Sequence, residues 1–169
     1  RVVTQPSGAT VVCNGTVVTP GGAWAADIAI AGGKIAAIGS GLRADAALDA
    51  TGLLVLPGGV DPHVHLQYPQ GPHRLVSSDD WLTGTIAAAC GGTTTVIDFV
   101  EAAPGQTFMQ ALEARQAEAA RQAVIDYGLH MSFNRVDPRS LEEVGRVVEA
   151  GLPSFKIYMA YNGLRLTAA

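Results

Sequence analysis

The sequence has few cysteines, no long apolar run and no excess of basic residues, and each shortage excludes a class of protein. Its two cysteines, Cys13 and Cys90, lie far apart in apolar segments, which predicts small buried side chains in a reducing compartment rather than a disulfide scaffold. No apolar run approaches the ~20 residues of a membrane span. A formal net charge of −4 offers no basic surface for nucleic acid. We therefore expect a cytoplasmic protein without a membrane or nucleic-acid partner.

The composition is that of a globular chain. Hydrophobic residues make up 48% and charged residues only 15%, so the chain can bury a core. Its 169 residues are enough for one domain, or for one domain and a small second one. The chain starts at Arg1 and no charged-then-apolar signal peptide follows, so we expect a start that is processed, engineered or cut.

Short β-strands dominate residues 11–56. Asn14-Gly15 is the strongest short hairpin signal in this region, and Gly32-Gly33 marks a second hairpin. The spacing predicts an antiparallel module of about four to five strands. Because so short a segment cannot cover both faces of a sheet, we expect it to pack on another part of the protein.

Strands and helices alternate after residue 56, which predicts a parallel sheet with right-handed crossovers. A doubly wound sheet and a barrel both remain open. The first strand is not followed by a Gly-x-Gly-x-x-Gly phosphate loop, which disfavours a nucleotide-binding domain, and polar residues at strand ends favour a barrel. We expect helices over 81–90, about 107–126 and 138–150, and strands over 53–56, 93–100, 127–133 and 154–159.

The segment Gly58–His65 is the first candidate for chemistry. It follows the apolar run Leu53–Leu56, which predicts a buried strand. His63 and His65 are two residues apart, so on an extended backbone both imidazoles point to the same side, where they could bind one metal ion together. A pair of hydrogen-bonded histidines without metal is the alternative.

Lys156 is the second candidate. It lies within the apolar strand Ser154–Met159, where a lysine is salt-bridged, extended towards solvent, or functional as an easily deprotonated amine. Of the other histidines, His73 falls in a loop, and His130 is more typical of a hydrogen-bonded interior residue than of a metal ligand.

Three separated motifs resemble the dihydropyrimidinase and hydantoinase branch of the cyclic amidohydrolases. The first is Pro57–Gln67, the second consists of Gly91–Thr94 together with Ile97–Phe99, and the third is Ser154–Tyr161. The resemblance implies an α/β fold: a metal-dependent amidohydrolase (β/α)8 TIM barrel with a small N-terminal β-sandwich module. It implies the hydrolytic opening of a cyclic amide or imide, such as a dihydropyrimidine or a 5-substituted hydantoin, to an N-carbamoyl amino acid.

The resemblance also implies the roles of individual residues. His63 and His65 would bind the first of two divalent ions, expected to be zinc. Carbon dioxide would carboxylate Lys156, and the resulting carbamate would bridge both ions. Tyr161 would hydrogen-bond the substrate carbonyl and its developing oxyanion. Two ions bridged in this way can polarise a carbonyl and activate water, so the chemistry agrees with the resemblance.

The chain departs from the family in length. A TIM barrel needs about 250 residues, whereas residues 57–169 would supply only about the first four βα units. We therefore expect a partial β-sandwich module over 1–56, the first half of the barrel over 57–169, and a missing C-terminal half that carries two more histidines and an aspartate. The isolated segment is expected to be inactive, and the complete form to be a homo-oligomer, a dimer or a tetramer.

The loop after the first barrel strand is a second departure. It is longer and more polar than expected for the family, and it would border the substrate pocket through four residues: Gln67, Tyr68, His73 and Arg74. A solvated surface loop is the alternative. For the whole protein, the alternative to an enzyme is a non-catalytic scaffold-type relative, but the presence of His63, His65 and Lys156 favours the enzyme.

Overall fold

The structure is a computed structural model that describes residues 8–70, 75–133 and 137–160. The chain divides into two compact units, Arg1–Pro57 and Gly58–Ala169. No helix within the described residues is long and apolar enough to cross a membrane.

The described part of the first unit is a five-stranded mixed sheet. Its path is β3-β2-β1-β4, and β5 also pairs with β1. The pairs β1–β2 and β2–β3 are antiparallel, but β4 and β5 run parallel to β1, so the expectation of a purely antiparallel module is wrong. The strands are β1 (Thr10–Thr19), β2 (Gly22–Ala31), β3 (Lys34–Gly39), β4 (Ala46–Asp49) and β5 (Leu54–Val55).

The Asn14-Gly15 pair does not form a hairpin. Strand β1 continues through it, with a break in register between Val12 and Gly15 and a φ of 63° at Asn14. The backbone N–H of Asn14 donates to Asp27 Oδ1 at 3.0 Å, so a side chain of the neighbouring strand supports this bulge. The chain reverses only after Thr19. The Gly32-Gly33 hairpin is confirmed, with φ values of 57° and 73° between β2 and β3.

The described part of the second unit carries a four-stranded parallel sheet in the order β11-β10-β9-β6, and a two-stranded antiparallel ribbon, β7-β8. Its elements are β6 (Gly59–Asp61), β7 (Pro69–Gln70), β8 (Leu75–Val76), α1 (Trp81–Cys90), β9 (Thr93–Val100), α2 (Phe108–Gln122), β10 (Asp126–Ser132), α3 (Pro138–Glu149) and β11 (Phe155–Lys156).

Capping residues explain where the three helices begin. The side chains of Asp80, Thr107 and Asp137 each accept a hydrogen bond from the backbone N–H three residues on. The side chain at that later position accepts a hydrogen bond from the backbone N–H of the capping residue. Helix α1 ends at Gly91, as expected from the sequence. The helices bury large apolar side chains against the sheet, and the most buried members of this core are Trp81, Phe108, Leu112, Met131 and Val147.

Two expectations about burial are wrong. Leu53–Leu56 does not form the buried strand that leads to the histidines, because only Leu54–Val55 is a strand and it pairs with β1; Leu53, Leu54 and Leu56 are 60–64% exposed. The strand before the histidines is β6. Cys90 is exposed rather than buried, and Cys13 is partly buried; both are free thiols.

Candidate metal centre

The candidate metal centre lies at the carboxyl ends of the parallel strands. His63 and His65 follow β6, and Lys156 is the last residue of β11, at the opposite edge of the sheet. The Asp61 carboxylate accepts a hydrogen bond from the His63 backbone N–H at 3.1 Å, which shapes the chain as it leaves the strand. Side chains that are far apart in sequence therefore meet at one end of the sheet.

Three nitrogen atoms converge at this centre. The Nε2 atoms of His63 and His65 are 3.2 Å apart, and Lys156 Nζ is 3.2 Å from His63 Nε2. Two nitrogens on one tetrahedral zinc ion are roughly 3.3 Å apart when each bond is ~2.0–2.1 Å long. The histidine pair therefore has the separation that a shared ion requires.

Phe99 forms the floor of the centre. The ring centroid of Phe99 is 4.7 Å from that of His65, in a stacked arrangement, and 4.7 Å from that of His63. Lys156 Nζ lies over the same ring, 4.1 Å from its centroid. Phe99 is buried, so it shields one side of the polar cluster from water.

The electrostatics favour the metal-binding form of His65. Burial lowers its pKa below the usual value, and the positive charge of Lys156 lowers it further. The ring is therefore neutral at neutral pH, which is the form that binds metal ions. Its Nδ1 atom is buried and has no hydrogen-bond partner among the described residues.

The donor set fits a metal only if Lys156 takes part. Within the described residues there is no group of three or more histidine, cysteine, aspartate or glutamate side chains arranged to hold a metal ion. Two histidines and an amine are present instead. Carboxylation of the amine would replace a cation with two anionic oxygen ligands, so the residues present fit a metal centre with a carboxylated lysine.

A buried ion pair supports the backbone beside His65. Arg115 pairs with Asp98, whose side chain is fully buried, and also donates to the Leu66 carbonyl oxygen. The Leu66 N–H donates to Asp98 Oδ2 at 3.4 Å, and the Phe99 N–H donates to Asp98 Oδ1 at 2.6 Å. Sequence reasoning assigned no role to either charged residue, although an aspartate inside the apolar strand 93–100 is a signal that could have drawn attention to it.

A second polar cluster lies next to the metal centre. Glu101 Oε1 accepts hydrogen bonds from the hydroxyl groups of Tyr68, at 2.6 Å, and Tyr158, at 2.7 Å. The Tyr68 ring is 4.4 Å from the His65 ring. Of the predicted pocket loop, the structure thus brings Tyr68 to the centre, whereas Gln67 is exposed. No pattern in the sequence singled out Glu101.

The remaining predicted residues fall into two groups. Tyr161, His73 and Arg74 lie outside the described residues. His130 is hydrogen-bonded through both ring nitrogens, Nδ1 to Ser154 Oγ at 2.6 Å and Nε2 to the Pro62 carbonyl at 3.1 Å. Since a carbonyl only accepts, Nε2 donates to Pro62, and both ring nitrogens of His130 are used in hydrogen bonds to the protein.

Comparison with known proteins places this geometry in a family. The sequence profile of the Amidohydrolase family matches residues 54–160, which include the histidine pair and the lysine. The chain belongs to the amidohydrolase family. The matched range covers the whole candidate metal centre, and the family membership implies dependence on metal.

Individual amidohydrolases extend the comparison to the hydantoinases. The chain is 47% identical over 152 residues to a D-hydantoinase of Geobacillus stearothermophilus, covering 88% of this chain and 32% of the relative. It is 42% identical over 153 residues to a D-phenylhydantoinase of Escherichia coli K12, covering 88% and 33%. The chain thus spans about a third of the length of the curated relatives it matches.

Solved structures give the same result for the fold. A crystal structure of a D-hydantoinase superposes with a TM-score of 0.88 at 42% identity, covering 94% of this chain and 35% of that one. The dihydropyrimidinase of Brevibacillus agri NCHU1002 superposes with a TM-score of 0.88 at 44% identity, with the same coverage. The resemblance to hydantoinases and dihydropyrimidinases read from the sequence motifs is confirmed.

Proposed function

We propose that this chain forms part of a metal-dependent hydrolase that opens cyclic amides or imides. Its substrate would be a 5-substituted hydantoin or a dihydropyrimidine, and its product an N-carbamoyl amino acid. The observation that carries the proposal is the convergence of three nitrogens, from His63, His65 and Lys156, at the carboxyl ends of parallel strands in an amidohydrolase. The names of the similar proteins support this class of substrate.

The chain would supply the first half of a (β/α)8 barrel. Within the part of the chain that the structure describes, four parallel strands joined by three helices agree with about four βα units. The N-terminal unit, Arg1–Pro57, would be part of a β-sandwich module. The complete protein would add the other barrel half, with two histidines and an aspartate as further metal ligands, and would assemble as a dimer or a tetramer.

His63 and His65 would hold one divalent ion, and carboxylated Lys156 would bridge it to a second. Carbon dioxide adds to the neutral amine of Lys156 to form the carbamate, with the release of one proton. When bound, two zinc ions would supply Lewis acidity and a water of lowered pKa near ~7. Phe99 would exclude water from one side of the ions, where it already packs against both histidines.

Tyr161 would bind the substrate carbonyl. Its hydroxyl would donate a hydrogen bond that strengthens as negative charge develops on the carbonyl oxygen during attack. The predicted pocket loop would border the substituent of the ring through four residues: Gln67, Tyr68, His73 and Arg74. Tyr68 supports this part of the proposal because its ring contacts His65.

The deciding experiment uses the complete protein, that is, this chain with the proposed second barrel half. Metal content and opening of hydantoin and dihydrouracil are measured for the wild type, Lys156→Ala and His63→Ala. We expect both variants to lose the binuclear metal load and ring opening. Lys34→Ala, which removes an exposed lysine of β3, is the matched control and should retain both.

Two results would contradict the proposal. Full metal content and activity in Lys156→Ala would rule out the bridging carbamate. A folded wild-type protein that opens neither ring would favour the alternative, a non-catalytic scaffold-type relative.

A further inference from the structure

Glu101 is the centre of a hydrogen-bonded triad that neighbours the metal site. It lies two residues beyond Phe99, just past the carboxyl end of β9. Its Oε1 atom accepts from Tyr68 and Tyr158, whose hydroxyl oxygens are 3.4 Å apart. Lys156 Nζ is 4.8 Å from the Tyr158 ring centroid, and the Tyr68 ring contacts His65. Two of the metal-site residues therefore touch the two tyrosines that hold this carboxylate.

Glu101 forms no ion pair with a basic side chain within the described residues. Glu101 lines a cavity of about 400 Å³, whose other charged lining residues are Arg115 and Glu118. Arg115 is already engaged, because it pairs with both Asp98 and Glu118. Neither ion pair of the described residues includes Glu101, so the cavity has an excess of negative charge.

The hydrogen bonds to Glu101 use only one of its two carboxylate oxygens. The hydroxyl groups of Tyr68 and Tyr158 both donate to Oε1. The second oxygen has no hydrogen-bond donor among the described residues, so it can accept from a ligand.

We propose that Glu101 recognises a positively charged substituent, an ammonium or a guanidinium, on the ring that this enzyme opens. The inference rests on the proposed function. The ring of Tyr68, which lines the same cavity, would flank the aliphatic part of the substituent and stabilise its cation, since aromatic faces attract cations. An apolar substituent would instead bury the second carboxylate oxygen of Glu101 without a hydrogen-bond donor, which is unfavourable. The cavity volume is within the roughly 300–1,000 Å³ typical of small-molecule sites.

Two hydantoins of equal size test the proposal on the complete protein. The 5-(4-aminobutyl) and 5-pentyl compounds differ only in ending with an ammonium or a methyl group. We expect kcat/KM to be about tenfold or more higher for the amine, because a charge-assisted hydrogen bond discriminates by at least this much. Equal kcat/KM values, or a preference for the pentyl compound, would overturn the proposal. The wild-type protein is sufficient for this test.

The variant Glu101→Gln separates charge from shape. It should abolish the preference by raising the KM for the amine, because the amide has no negative charge to attract the ammonium group. Glu113→Gln, at an exposed position of α2, is the matched control and should keep the preference. An unchanged preference in folded Glu101→Gln would overturn the proposal.

Direct binding distinguishes this inference from the proposed function. If neither hydantoin is opened, the proposed hydrolase is wrong, and calorimetric titration of the two compounds then decides the role of Glu101. About tenfold tighter binding of the amine that is lost in Glu101→Gln supports cation recognition. Equal binding of both compounds, or no binding of either, overturns it.

Discussion

Asp98 and Arg115 form a buried ion pair that holds the backbone of Leu66 at both of its polar groups. The Leu66 N–H donates to the Asp98 carboxylate, and the Leu66 carbonyl accepts from the Arg115 guanidinium. Leu66 directly follows His65, and Asp98 also holds the N–H of Phe99, on which the His65 ring stacks. The pair therefore fixes the backbone and the ring of one candidate metal ligand together.

Loss of this ion pair should weaken metal binding without removing a ligand. In the complete protein, Arg115→Met leaves Asp98 buried without its cation and frees the carbonyl of Leu66. We expect metal affinity to fall by about tenfold or more, as it does when supporting groups around a metal ligand are lost. Competition with a chelator measures the affinity.

The control for this prediction is Arg121→Met, which removes an exposed arginine of the same helix. It should leave the affinity unchanged. A folded Arg115→Met protein with the metal affinity of the wild type would show that the ion pair does not position His65.

Gly58 should not tolerate a side chain. A Cβ atom at this position would lie 2.0 Å from Thr94 Oγ1 and 2.7 Å from Thr94 Cβ, so Gly58→Ala must displace β6 from β9. We expect destabilisation of about 1–3 kcal/mol, the usual cost of overpacking, and a lower Tm by calorimetry. Gly145→Ala in α3 is the control, because nothing lies within 4 Å of its added Cβ, and it should keep or raise the Tm. An unchanged Tm in Gly58→Ala would contradict the close approach.

Alkaline pH should destabilise the fold through Tyr68 and Tyr158. Burial and Glu101 raise the pKa of both hydroxyls in the folded state. Their contribution to stability is therefore fully present below the unfolded pKa of about 10 and is lost as the pH rises above it, since unfolded tyrosines ionise first. The decrease in Tm above about pH 10 should be smaller in Tyr68→Phe/Tyr158→Phe than in the wild type. An identical pH profile would contradict the raised pKa values.

Residues 1–169 expressed alone should not form a stable, active monomer. In the described part of the sheet, β6 and β11 are edge strands that each pair on one side only. Val60 and Ile157 are 59% and 58% exposed, and Met159 is 92% exposed. Unpaired edges and exposed apolar side chains favour association. We expect self-association or aggregation on sizing chromatography and no ring opening; a monodisperse monomer with turnover would contradict this.

The sequence predicted the helices better than the first sheet. Caps such as Asp80 and Thr107 act locally, so the starts of α1 and α2 could be read directly. The Asn14-Gly15 pair misled because its turn preference is also satisfied by a bulge, which a hydrogen bond to Asp27 supports.

The proximity of the two histidines could be predicted because the signal for it is local. The His63–His65 spacing is local, and the structure shows both imidazoles on one side. The contacts of Arg115 with Leu66 and of Glu101 with Tyr158 join residues 49 and 57 positions apart. Such pairings depend on the tertiary fold, and no short pattern encodes them.

The contact between His63 and Lys156 has a consequence for folding. These residues are 93 positions apart and belong to opposite edges of the described sheet, with β9 and β10 between them. An ion held by both would act as a cross-link that closes a long loop of chain, so metal binding and folding would be thermodynamically coupled. The unfolding free energy would then rise by about 1.4 kcal/mol for each tenfold increase in free metal above its Kd. Metal supply would therefore set the fraction of the protein that is folded.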